Sequence, residues 1–335
     1  MKETMEIKNN YITSDEEQRL LEERIMRKRA ERRRANRRRL RRNRTIAIIT
    51  LLLITILVYR SCTNDNEGKE SINNNINAPK AYVSSENSTE GKTSASESDD
   101  LSELRNQIYT AVQSYNGTWS IYVKNLDTGY FITINNRQVY AASEIKLFAL
   151  AAAYQQIADG VISEDEVYNT LFEMTANSSN EAFNSIVWTL GKYYISNWCV
   201  ENGYNDTVQC HGLYPAYNAD GLATSNGYNL TTVKDIGLLL ESMYQGKCVS
   251  DEYSNKMIDM LLEQEYRSKI PAGIPNDVKI ANKTGETDDV SHDSAIVYSD
   301  NADYILVVMA DAPGQAWSCG DNIAELSGIV YKYFN

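Results

Sequence analysis

The sequence predicts an α/β (α+β) fold over residues 101–335. A five-stranded antiparallel sheet is built from both ends of that region and flanked by helices, with an all-helical lobe inserted between the strands. Three observations predict it. Runs of strand composition fall into two groups, "WSIYVKNL" and "YFITIN" early, and "VKIANKT", "SAIVYS" and "YILVVMA" late. Between the groups, apolar residues recur at helical spacing. Within each group the connections are short and rich in turn residues, so sequence neighbours pair antiparallel.

A helix over 101–115 opens the region. The first two strands are joined by "NLDTGY", where Asp127 and Gly129 signal a hairpin turn. Helices at 144–159, 164–175, 180–203, 231–245 and 251–263 form the lobe. Thr231 or Thr232 is a fair N-cap for "VKDIGLLLESMY". The three late strands follow, and a helix over 317–334 closes the chain. A cleft is expected where the lobe meets the sheet edge, a usual place for a site.

The N-terminal part has a different character. The 335-residue chain carries a formal charge of -12, unevenly spread. The first 60 residues hold 17 Lys+Arg against 8 Asp+Glu, and the remainder 16 against 37. Such a split implies two environments. "TIAIITLLLITILVY", residues 45–59, is uncharged and divides them. At about 1.5 Å per residue it spans roughly 22 Å, short of a bilayer core of about 30 Å, but Arg44 and Arg60 can snorkel. A buried core helix fits poorly beside "RIMRKRAERRRANRRRLRRNR". A cleaved signal peptide fits poorly with 44 preceding residues and no small-x-small cleavage pattern.

The expected organisation is therefore a basic cytoplasmic segment (1–44), a transmembrane signal anchor (45–60), a disordered Ser/Asn-rich stalk (61–100) and an extracellular domain (101–335). The expected location is the cell membrane, single-pass, with the N-terminus in the cytoplasm. The basic block suits topology and anionic lipid rather than nucleic acid, because no aromatic interleaves its arginines.

Five cysteines are present: Cys62, Cys199, Cys210, Cys248 and Cys319. Cys199 and Cys210 either pair or stay buried thiols. With two histidines, His211 and His292, and no Cys/His ligand spacing, neither a metal site nor a cofactor is expected.

Three short stretches carry the chemistry. Ser143-Glu144-Ile145-Lys146 opens a predicted helix, "NSSNEAFN" supplies Ser178-Ser179-Asn180, and "NKTGE" supplies Lys283-Thr284-Gly285 on a late strand. Each alone is weak; Asn177, Ser178 or Ser179 would equally serve as a helix N-cap. At i, i+3 spacing Lys146 lies beside Ser143. A serine needs a base, and a lysine serves as one only when burial and neighbouring cations lower its pKa. A Ser-His-Asp triad is disfavoured: two histidines offer few choices, and no G-x-S-x-G elbow exists.

In this order and setting, the set resembles the Ser-x-x-Lys, Ser-x-Asn and Lys-Thr-Gly motifs of the class A β-lactamases and penicillin-binding proteins. The resemblance covers about residues 105–335. It implies an active-site serine hydrolase that forms an acyl-enzyme with β-lactams or peptidoglycan stem peptides. It implies catalytic roles for Ser143, Lys146 and Ser178. It implies substrate contacts from Asn180, Lys283, Thr284 and Gly285, and an oxyanion hole made by the N–H groups of Ser143 and Glu286. His292 either assists at the substrate or makes a structural hydrogen bond; His211 is read as structural.

The sequence also departs from class A β-lactamases. Those enzymes carry a deacylating glutamate in an Ω-loop with a Glu-Pro signature. The corresponding stretch, "CHGLYPAYNADGLATSNGYNLT", has no glutamate, and its only carboxylate is Asp220. Ser179 replaces the usual central Asp, and the segment from Ser143 to Ser178 is trimmed. The expectation is a DD-peptidase-like enzyme that loses β-lactam acyl groups slowly. The alternatives are a β-lactamase with a non-standard deacylation route, through Asp220 for example, and a non-turnover β-lactam sensor or binding module.

Overall fold

The structure, a computed structural model, describes residues 101–219 and 221–335. The basic segment, the predicted anchor over 45–60, the stalk, Cys62 and Asp220 lie outside the described residues. Among the described residues no helix is long and apolar enough to cross a membrane.

Helix α1 (Ser102–Val112) leads into β1 (Thr118–Asn125) and β2 (Phe131–Ile134). The predicted hairpin forms. Asn125 Oδ1 accepts from the Asp127 and Thr128 amides at 2.9 Å each, and Gly129 takes φ +77°, where a side chain would be strained. The short β3 (Val139–Tyr140) and a 3₁₀ turn (Ala142–Glu144) precede α2 (Ile145–Ala158). The lobe continues through α3 (Glu164–Ala176), α4 (Asn180–Leu190), α5 (Tyr194–Glu201), α6 (Val233–Tyr244) and α7 (Asp251–Leu262). Between α5 and α6, β4 (Leu230–Thr231) pairs with β3. The chain returns to the sheet as β5 (Lys279–Glu286), β6 (Val290–Tyr298) and β7 (Tyr304–Asp311), then ends in α8 (Cys319–Phe334).

The five-stranded sheet has the order β2-β1-β7-β6-β5, antiparallel throughout, as the sequence predicts. Strands from both ends of the region meet at β1–β7. Side chains alternate across the sheet. On β7, Ile305, Val307 and Met309 face a core shared with the helical lobe, while Leu306 and Val308 join a second core with residues of α1 and α8. The order leaves β5 at an edge, paired only with β6.

Helix α2 runs through the lobe core. All but Gln155 and Ala158 of its residues are buried, which explains why its sequence is apolar all round rather than amphipathic.

Some expectations need correction, and two left open are settled. The helix predicted over 180–203 is two helices. Gly191, at φ +88°, ends α4, and apolar residues continue on the far side of the break, so periodicity alone did not reveal it. The β3–β4 pair escaped the sequence because each strand is only two residues long. Thr232, not Thr231, caps α6 by accepting from the Asp235 amide at 3.1 Å. Cys199, Cys210, Cys248 and Cys319 are all free and buried, so Cys199 and Cys210 do not pair.

Candidate active site

Three elements converge. The 3₁₀ turn before α2 presents Ser143, and the first turn of α2 presents Lys146. The connection into α4 brings Ser178 and Asn180, and β5 brings Lys283. Ser179 caps α4 by accepting from the Ala182 amide at 3.1 Å, which leaves Ser178 free of capping. Ala142 (φ +46°) and Ser178 (φ +54°) are both left-handed without being glycine, a costly conformation that marks positions where geometry outranks local comfort.

Lys146 is 1 % exposed and its Nζ has four close neighbours. It lies 2.9 Å from Ser143 Oγ, 2.6 Å from the Ser178 carbonyl, 3.2 Å from Ser178 Oγ and 2.9 Å from Asn180 Oδ1. The carbonyl and the amide oxygen can only accept. A neutral amine has two N–H groups for those two acceptors and one lone pair, which then points at a hydroxyl. The arrangement therefore suits an unprotonated lysine receiving the Ser143 proton. Its electrostatics agree: burial, then the nearby charge of Lys283, pushes the Lys146 pKa down to about 6.

Lys283 is also fully buried. It donates to Ser178 Oγ at 2.8 Å and to the Thr284 carbonyl at 2.7 Å. Ser178 thus bridges the two lysines. Gly285 lets the strand close on the turn that carries Ser143: a Cβ there would sit 3.1 Å from the Glu144 amide and 3.2 Å from the Ala141 carbonyl. Glu286, at the strand end, pairs with Lys269 at 2.9 Å. His292 lies opposite Gly285 on β6, fully buried, with Nε2 2.9 Å from the Tyr140 carbonyl. Burial pushes its pKa down to about 4, so the ring is neutral, and the geometry favours the structural reading over a substrate contact. His211 is buried against Tyr217, with ring centroids 3.6 Å apart.

The loop between Cys210 and Thr231 reaches the cluster through asparagines that sequence reading passed over. Asn229 Oδ1 accepts from the Cys210 and His211 amides at 2.7 and 3.1 Å, which closes the neck. Asn184, one helical turn beyond Asn180, exchanges two hydrogen bonds with the Leu213 backbone at 2.7 and 2.8 Å. Asn180 Nδ2 donates to the Tyr214 carbonyl at 3.1 Å. What arrives beside the cluster is the cis dipeptide Tyr214–Pro215, and no carboxylate of the described loop comes with it. The i, i+4 spacing of Asn180 and Asn184 was the available signal.

Beneath the cluster lies a second group that sequence reading missed. Glu144, Lys269, Asn282, Asp293 and Ser294 are buried around β5 and β6. Asp293 accepts from Asn282 Nδ2 at 3.0 Å and from the Ile270 amide at 2.9 Å.

The family model described as the beta-lactamase enzyme family matches residues 103–171 and 166–334, nearly all of the described region. The chain belongs to the beta-lactamase enzyme family. It is a serine hydrolase of the β-lactamase class. Solved structures similar to this family member share its fold. PBP-A is 24 % identical, with a TM-score of 0.63, covering 70 % of this chain and 96 % of its own. A PBP-A variant determined as an acyl-enzyme complex with penicillin G is 23 % identical, with a TM-score of 0.61 and coverage of 70 % and 97 %. A β-lactamase from Sphaerobacter thermophilus is 16 % identical, with a TM-score of 0.61 and coverage of 70 % and 98 %. No curated protein matches the sequence.

Proposed function

We propose that this β-lactamase-family enzyme is a membrane-anchored acyltransferase of the D-alanyl-D-alanine peptidase type, acylated readily by β-lactams and deacylated slowly. The observation that carries the reading is the contrast at Ser143. Lys146 is set to take the serine proton, while the described residues of the loop facing the cluster bring a tyrosine carbonyl and no base. The PBP-A variant trapped with penicillin G is the relative whose described state fits this reading.

In this reading Ser143 Oγ attacks the carbonyl carbon of a β-lactam or a D-alanyl-D-alanine peptide and passes its proton to Lys146 Nζ. The Ser143 and Glu286 N–H groups hold the oxyanion. The C–N bond then breaks. Ser178 gives its proton to the leaving nitrogen and is resupplied by Lys146 across their 3.2 Å contact. Asn180 holds the substrate amide, and Lys283 with Thr284 holds its carboxylate. The acyl group then passes to water or an acceptor amine. The anchor over 45–60 and the linking residues 61–100 place the domain outside the cell, over the peptidoglycan that supplies stem peptides.

Family membership favours one other reading, a β-lactamase with a non-standard deacylation route, for which Asp220 is the loop carboxylate. Two assays on the same preparation separate them. The peptidase reading predicts release of D-alanine from a stem-peptide mimic and a single burst of chromogenic β-lactam cleavage. Sustained β-lactam turnover without D-alanine release would establish the other.

A further inference from the structure

Glu144 sits in the turn between Ser143 and Lys146, yet nothing in the reaction above uses it. Its side chain is 0 % exposed. Oε2 accepts from Ser294 Oγ at 2.7 Å, and Oε1 is buried with no hydrogen-bond partner among the described residues. A carboxylate oxygen left so is costly, which favours the neutral acid at low and neutral pH.

Lys283 presents the complementary problem. It is a fully buried ammonium whose hydrogen bonds go to neutral acceptors, Ser178 Oγ and the Thr284 carbonyl. Burial pulls its pKa down, and the largest opposing influence is the charge of Glu144. The two are linked through Ser294, whose Oγ lies 2.7 Å from Glu144 Oε2 and 3.4 Å from the Lys283 carbonyl. They are also linked through Gly285, where the missing Cβ would lie 3.2 Å from Glu144 Cγ. The other charged groups around them are Asp293 on β6, Lys269 ahead of the 3₁₀ turn Ile270–Gly273, Glu286 at the end of β5 and Lys146 on α2; His292 on β6 is neutral. Asp293 is already held by Asn282 and the Ile270 amide, and Glu286 by Lys269.

We propose that Glu144 is the counter-charge of Lys283: its carboxyl ionises as the pH rises and keeps Lys283 protonated, extending into alkaline solution the range over which the site holds a substrate carboxylate. Glu144 is a positioning residue, since it acts through Lys283 and not on the reacting atoms. The proposal rests on the role given to Lys283 above. Burial pushes the Glu144 carboxyl up, well out of the usual range, so its charge is absent on the acid side, where Lys146 sets the rate.

The test is the rate of acylation by penicillin G across acid to alkaline pH, followed by intact mass on the full chain. Wild type, Glu144→Gln and Ser294→Ala are compared. In Glu144→Gln the alkaline limb moves to lower pH by about one unit or more, the shift a nearby opposite charge produces, while the acid limb stays in place. In Ser294→Ala, loss of the donor that steadies the Glu144 carboxylate delays its ionisation to still higher pH, so the alkaline limb moves the same way by less. This variant decides if Glu144→Gln does not fold. An unmoved alkaline limb, or a uniform loss of rate at every pH, overturns the proposal and leaves the peptidase reading standing. A wild type that penicillin G does not acylate at any pH overturns both.

Discussion

On one side of Ser143 the two lysines and Ser178 are tied to one another. Lys146 touches two hydroxyls and two obligate acceptors, Ser178 bridges to Lys283, and both lysines are buried. On the other side the Cys210–Thr231 loop is gripped by Asn180, Asn184 and Asn229, chiefly through backbone groups. On the proposed reading, the first region moves a proton off a serine. The second is held by several hydrogen bonds and brings no carboxylate, among its described residues, to activate water. The difference teaches where the proposed slow deacylation would originate: in the side chains that the described part of a well-placed loop brings, not in a loop that fails to reach the site.

The largest expected effect comes from breaking the first region. Lys146→Ala should slow acylation by about 10²–10⁴-fold, the range a positioned general base supplies. Rapid-quench measurement of the penicillin adduct checks this; a change below tenfold would mean another group takes the proton. The second region can be sharpened instead. Tyr214→Glu puts a carboxylate beside Pro215, on the residue whose carbonyl meets Asn180. It should shorten the adduct lifetime by up to about a hundredfold, the lower end of general-base assistance. An unchanged lifetime would show that the missing carboxylate is not what limits release.

Next in size is the acid limb. The pKa of Lys146 is lowered to about 6 by burial and by Lys283. The amine is therefore neutral, and competent as a base, above that pH and is lost as a base below it. Acylation should fall about tenfold per pH unit once the lysine is protonated. A flat profile down to pH 4 would contradict the base assignment. The smallest effect is on stability. Asn229→Ala strips hydrogen bonds from the Cys210 and His211 amides and should cost about 2 kcal/mol, read from the urea midpoint. Acylation by penicillin should be nearly unchanged, because Ser143, Lys146, Ser178 and Lys283 do not depend on that neck.

Much of this was legible in the sequence. Strand runs at both ends of the region fixed the sheet; Ser143 and Lys146 stood out by their i, i+3 spacing, Ser178, Asn180 and Lys283 by resemblance to the family's motifs, and the fold brings all five together. What stayed hidden was hidden for physical reasons. Gly191 breaks a helix through one positive φ, while the apolar pattern runs on past it. Glu144 looked like the filler of a motif, since nothing in a sequence distinguishes a solvated first turn from one pressed against β5. Asn184 and Asn229 act on backbone atoms, which leave no residue-type signature in their partners. The cysteines could be read either way, because burial and pairing both favour the same residue.

The central claim is that Ser143 acylates quickly and releases slowly. Intact-mass analysis of the full chain after brief exposure to penicillin G, followed over hours once free drug is removed, tests it most directly. The account predicts one stoichiometric adduct on the peptide containing Ser143, persistent through the time course and absent in Ser143→Ala. An adduct that vanishes within seconds while penicillin is consumed, or one that survives in Ser143→Ala, would contradict it.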